Sequence, residues 1–198
     1  MPMASPRTPR ATGLGAIVFL TFAAACSEPP NKEMHQAQGA IAAARAAGAE
    51  TYAAPELEAA RAALKRSEQA VTARDYRLAL GQALDARERA EEAAREAANR
   101  KAAARSDAER ALAEASSILA RARIRIEAAS KARAPRRALT TARAGLQDAS
   151  RTVQESRAAL SKGDYLKAKQ MLDGVAARVD AVLKGLTPQT RPRAARTR

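Results

Sequence analysis

"LEAARAALKRSEQAVTARDY" (57–76) and "LQDASRTVQESRAALSKGDY" (146–165) lie over one another at an offset of 89 residues without a gap. Leu57 falls on Leu146, Ala60 on Ala149, Leu64 on Val153, Ser67 on Ser156 and Val71 on Leu160. These positions alternate by three and four, the stripe that one helix turns toward a partner. Any two alanine-rich helices can be slid into such a register. The shared Asp75-Tyr76 and Asp164-Tyr165 that close both stripes, followed by Ala79 over Ala168, make it a repeat. Each Asp-Tyr reads as a corner between two antiparallel helices. Gly163 can end the preceding helix in a left-handed conformation. Asp75 and Asp164 can cap the following helix by accepting backbone N–H bonds, and Tyr76 and Tyr165 can lay their rings across the corner.

The sequence around these stretches predicts an all-α protein. Fifty-five of 198 residues are alanine, the best helix former, and aromatic residues make up 3%. Strand-favouring residues are sparse. Helices of this composition touch over a thin seam of small side chains. A helix is expected from about Met34 to Ala47, ending at Gly48, then a short connection holding Tyr52, and another helix from Pro55 to about Ala73. The stretch from Tyr76 meets no proline before Pro135, so one long central helix is expected. In it Leu112, Leu119 and Ile126 recur every seven residues, with Ala108, Ala115, Ala122 and Ala129 between them. "NRKAAARSD" (99–107) lacks large apolar residues and allows a kink near 100–106. Pro135 opens a helix to about Ser161, and a last helix is expected from Tyr165 to Lys184. The fold predicted is thus a set of elongated antiparallel hairpins, coiled-coil-like, in two units (34–100 and 101–186). A basic, aperiodic tail (187–198) follows and reads as disordered.

The formal charge of +14 is uneven. Residues 26–100 carry 11 basic and 12 acidic side chains, 101–145 carry 11 and 4, and 146–198 carry 11 and 5. A basic second half suggests an anionic partner, with Lys131, Arg133, Arg136, Arg137 and the tail residues Arg191, Arg193, Arg196 and Arg198 as contacts. The plainer account is a set of solvated helix faces.

Residues 1–10 carry two arginines and no acid, residues 11–25 are uncharged and mostly apolar, and the polar "CSEPPNKE" (26–33) follows. This is the layout of a secretory signal, and its apolar run is too short for a spanning helix. Ala23 and Ala25 satisfy the A-x-A pattern and place cleavage before Cys26, the only cysteine in the chain. Residues 26–33 are then a proline-containing tether, and no intramolecular disulfide can form.

Ala24, Ala25 and Cys26 also resemble the bacterial lipoprotein signal, in which a small residue precedes a cysteine that receives lipid. Ala23 stands where that signal prefers leucine. The resemblance implies a diacylglyceryl group on the Cys26 sulfur and a further acyl chain on its amine, which together anchor stably where one chain would not. Ser27, rather than aspartate, implies sorting to the outer membrane of a Gram-negative cell. Ordinary secretion with a free thiol, giving a soluble periplasmic protein, and an uncleaved N-terminal anchor are the alternatives.

"QAQGAIAAARAAGAE" (36–50), "YAAPELEAARAALKRSEQAV" (52–71) and "ARDYRLALGQALDARERAEEAAREA" (73–97) resemble the family of bacterial envelope lipoproteins known as domain of unknown function 4398. The resemblance covers about a third of the chain, and the repeat at 146–180 reads as a second, more degenerate copy. It implies a helical envelope domain and no established reaction.

One histidine, His35, rules out His-pair metal sites and His-based triads. No glycine-rich phosphate loop is present. Acidic pairs such as Glu91-Glu92 sit among arginines on a helix. The expectation is a non-catalytic protein without cofactor or metal. Its partners would be the membrane through lipid, and peptidoglycan or another envelope protein. The export signal argues against nucleic acid, which a basic chain of this kind could otherwise bind.

Overall fold

The computed structural model describes residues 28–186, and those residues are all-α. Seven helices follow in order: α1 (Asn31–Ala46), α2 (Ala49–Tyr52), α3 (Ala54–Thr72), α4 (Tyr76–Lys131), α5 (Arg136–Ser161), α6 (Tyr165–Leu172) and α7 (Val175–Lys184). Helix α4, with 56 residues, is the spine. At 1.5 Å per residue it is about 84 Å long.

Two units, each three helices in cross-section, share that spine. In the first, α3 folds back along α4 from the Asp75 corner, and α1 lies against both. Ala37, Ala63 and Ala86 meet at one level, and Ile41, Ala44, Leu57, Ala60, Ala90 and Ala93 meet further along. Helix α1 therefore runs parallel to α4 and antiparallel to α3. In the second unit, α5 folds back along α4 from the Pro135 corner, and α6 and α7 return beside both. Its core joins Leu119, Ala122 and Ile126 of α4 to Leu139 and Val153 of α5 and to Val175, Val179 and Leu183 of α7. Among the described residues no hydrophobic cluster mixes the two units.

The alanine content explains the slender build. Apart from Ile41 and Leu57, the buried apolar residues of the first unit are all alanine, so helix backbones approach closely and little volume separates them. The second unit has larger side chains, yet its helices also come close. A Cβ on Gly145 would lie 2.6 Å from Val182 Cγ2, so glycine is what lets α5 and α7 touch.

Between the units, residues 98–103 of α4 are all exposed. No bundle covers them, yet the helix is continuous and has no interruption at 100–106. Alanine propensity sustains it, with i,i+4 ion pairs on either side: Glu96–Arg100 at 2.6 Å and Arg105–Glu109 at 2.8 Å.

Two local expectations are corrected. The expected last helix is broken at Asp173-Gly174, where Asp173 is extended (φ −58°, ψ 128°) and Gly174 is left-handed (φ 77°). The segment holding Tyr52 is a single helical turn, α2, rather than a bare connection.

Candidate functional site

The two Asp-Tyr corners share a backbone design. At each, the helix ends in a pair of crossed bonds: Asp75 N–H to Ala70 O (2.9 Å) with Arg74 N–H to Val71 O (2.9 Å), and Asp164 N–H to Ala159 O (3.0 Å) with Gly163 N–H to Leu160 O (3.1 Å). This is the left-handed helix stop that glycine favours. Gly163 adopts it at φ 86°, but in the first copy Arg74 does so at φ 59°. Beyond each corner a fully buried serine ties the hairpin together. Ser67 Oγ donates to Ala79 O and Ser156 Oγ donates to Ala168 O, both at 2.8 Å. Donors and acceptors alike are separated by the repeat offset.

The capping expectation holds at one corner only. Asp75 accepts from Leu78 N–H at 2.9 Å, whereas the Asp164 side chain makes no cap bond. The crossed backbone bonds close both turns without it. Tyr76 and Tyr165 are half-buried, and Tyr165 packs on Ala108, Ala159 and Ala168.

The second corner faces the α1–α2 turn of the first unit across the exposed waist of α4. Gly48, Thr51 and Tyr52 on one side and Gly163, Asp164, Tyr165, Leu166 and Lys167 on the other border an open cleft of about 450 Å³, with Lys101 between them. Partial burial raises the Tyr52 pKa above its ordinary value, and Tyr165 and Asp164 across the cleft add to the rise. Arg100 braces the same waist: it donates to Tyr52 O at 2.9 Å and to Glu56 Oε1 at 2.8 Å. A bond from its own backbone N–H, and then Arg100, hold the Glu56 carboxyl below the usual carboxylate range. Arg45, then Arg61, do the same for Glu50, and Lys169, then Arg110, for Asp107.

The α4–α5 corner has the opposite electrostatics. Arg133 occupies its left-handed position at φ 57°, and Lys131, Arg136 and Arg137 are exposed around it. Lys131 pairs with Glu127 at 3.0 Å. Arg133, Arg136 and Arg137 have no carboxylate partner among the described residues. Arg143, which the sequence reading did not single out, joins them: with Arg133, Arg136, Ser130 and Thr140 it lines a cleft of about 590 Å³. The structure thus gathers the internal basic residues at one tip. The tail residues Arg191, Arg193, Arg196 and Arg198, like Ala25 and Cys26, lie outside the described residues.

Among the described residues no group of histidine, cysteine or acidic side chains could hold a metal ion, and no helix is long and apolar enough to cross a membrane. His35 is exposed, beside Gln38 at 3.3 Å. Comparisons with protein-family models, curated proteins and solved structures find no match.

Proposed function

We propose that the protein is a lipid-anchored rod of the bacterial envelope, attached through Cys26 to the outer membrane, facing the periplasm and acting without catalysis as a spacer and interaction module. The placement of the chain along the rod supports this reading most. Arg87 donates to Gln36 Oε1 at 3.2 Å, which fixes the level of α1 on α4. Helix α1 therefore begins within about two turns of the Asp75 corner. A tether leaving there connects to one tip. At the other end, Val182 against Gly145 and Leu186 on the second core bring the chain back toward the Pro135 corner. The signal layout of residues 1–26 and the resemblance to envelope lipoproteins supply the location; the rod supplies the reach.

The experiment is metabolic labelling with palmitate followed by membrane fractionation, with Cys26→Ala as control. Label in the outer-membrane fraction that is lost in the variant is the expected result. A wild-type protein that carries no label overturns the anchor, and a cleaved, unlabelled protein released with the periplasm assigns the soluble alternative.

A further inference from the structure

We infer that the α4–α5 tip, opposite the tether, is a binding site for a flexible polyanion, and that its occupant is the carboxylate-bearing glycopeptide of the cell wall. Between residues 115 and 145 the chain carries eight basic side chains and one acid, Glu127. Arg133, Arg136 and Arg143 converge on one cleft, and among the described residues no carboxylate pairs with any of them. Arg143 is partly oriented by Ser130 Oγ at 3.5 Å. Guanidinium groups left in this arrangement repel one another, and each offers a planar fork that fits a carboxylate in two-point fashion.

The helix geometry makes the arrangement costly for the fold itself. Arg136 and Arg137 are the first two residues of α5, and its first turn contains no acid. Cations are disfavoured at that end of a helix, where the backbone N–H groups point outward. The first unit does the reverse: Glu50 and Glu56 sit in the first turns of α2 and α3 and take arginine partners. A bound anion would satisfy the arginines and the free N–H groups together.

The spread of charge favours a flexible chain over a flat surface. Arg121 and Arg125, one turn apart on α4, extend the basic track about 15 Å back from Lys131. A flat membrane touching the tip end-on would leave Arg121 more than a screening length, about 8–10 Å, from it, and Arg125 about one such length away. A polymer strand can follow both the corner and the shaft. The identity of the polymer rests on the envelope reading above; the site itself does not.

The test uses the full-length chain purified in mild detergent, sedimented with purified sacculi and with sacculi whose carboxylates have been amidated. Anionic phosphatidylglycerol vesicles and duplex DNA are run in parallel. Binding to untreated sacculi is expected, falling at least about tenfold between roughly 50 and 300 mM salt and after amidation. Neutralising Arg133, Arg136, Arg137 and Arg143 to glutamine should cost a similar factor. Neutralising Arg77, Arg95, Lys101 and Arg157, exposed cations elsewhere on the rod, should cost less than about twofold. A second variant, Arg136→Glu with Arg137→Glu, places acids where the helix favours them, so it should keep or raise the melting temperature while abolishing binding. Equal losses from the tip and control sets, or a loss of vesicle or DNA binding in the tip variant as large as its loss on sacculi, overturn the inference, as does no binding to sacculi; comparing variants cancels any binding through the anchor itself. Palmitate labelling is independent of every one of these outcomes, so anchor and tip fail separately.

Discussion

Leu57 is the largest fully buried side chain of the rod, at 1% exposure, and Leu57→Ala tests whether the first unit depends on it. Removing three buried carbons costs roughly 2.4 kcal/mol in transfer free energy at about 0.8 each. A cavity contribution adds to this wherever the surroundings do not collapse. Here they hardly can. Apart from Ile41, the buried residues that share its cluster are Ala44, Ala49, Ala53, Ala60, Ala90, Ala93 and Ala97, whose methyl groups sit on helix backbones and have no rotamer with which to fill the space. The expected loss is therefore in the upper part of the range for such changes, about 4 kcal/mol. That is a large share of the stability of a small domain, about 5–15 kcal/mol.

Because no hydrophobic cluster crosses residues 98–103, the damage should stay in the first unit. Urea denaturation followed by circular dichroism should split into two transitions in Leu57→Ala, with only the earlier one displaced. Hydrogen exchange should accelerate in 31–97 and not in 139–183. The matching replacement in the second copy, Leu146→Ala, should cost less, since Leu146 is only half-buried. A Leu57→Ala loss below about 1 kcal/mol, or equal acceleration of exchange in both halves, would refute the separate-core reasoning.

Three further predictions concern corners, contacts and pH. Arg74→Gly should stabilise the first corner by roughly 1 kcal/mol, because arginine there holds a left-handed φ that glycine adopts freely, and Gly163→Ala should destabilise the second by a similar amount; thermal melts read both. Gly145→Ala should cost about 1–3 kcal/mol by driving a methyl into Val182, and pairing it with Val182→Ala should recover part of the loss in the same melts. Glu50, Glu56 and Asp107 have lowered pKa values in the fold, so the stability they lend is present above the ordinary carboxylate range of about 4 and is lost as pH falls through their folded values. The melting temperature should accordingly stay level from about pH 7 to 5 and drop below about 4, less steeply in Arg100→Gln, where Glu56 has lost a partner.

The repeat was legible because its two copies agree at a corner as well as along a stripe, and Ser67 and Ser156 then proved to make equivalent bonds. The length of α4 followed from the absence of proline. Other features were hidden for physical reasons. The break at Asp173-Gly174 escaped notice because Ala168, Leu172, Val175, Val179 and Leu183 keep a three-and-four spacing straight through it, so apolar periodicity alone reads one helix. Arg74 was missed as the left-handed residue because a non-glycine stop has no composition signal. Most of the basic tip could be read as a run from 131 to 137, but Arg143 joins it only after two turns of α5. The waist cleft joins Tyr52 to Tyr165, a pairing that arises only once both hairpins lie on one spine.

Alanine is what connects sequence, shape and the proposed role. A compact globule of about 160 residues has a radius of gyration near 15 Å, so it spans roughly 40 Å. Helix α4 alone reaches about 84 Å. A chain that needed an enclosed pocket would require large side chains to separate its layers, and the first unit has only two buried ones, Ile41 and Leu57. Close-packed alanine seams instead convert nearly every residue into helix length with a cross-section of three helices. The exposed stretch 98–103 extends the same economy: it adds about 9 Å of reach with no core at all. Stability along such a rod is local, as the two separate cores imply, so either unit can vary without disturbing the other. That division suits a molecule whose ends do different work. The first unit, whose basic and acidic side chains nearly balance, leaves the Asp75 end electrically quiet, and the second gathers at the far tip guanidinium groups with no carboxylate partner among the described residues, where the proposed partner would be met.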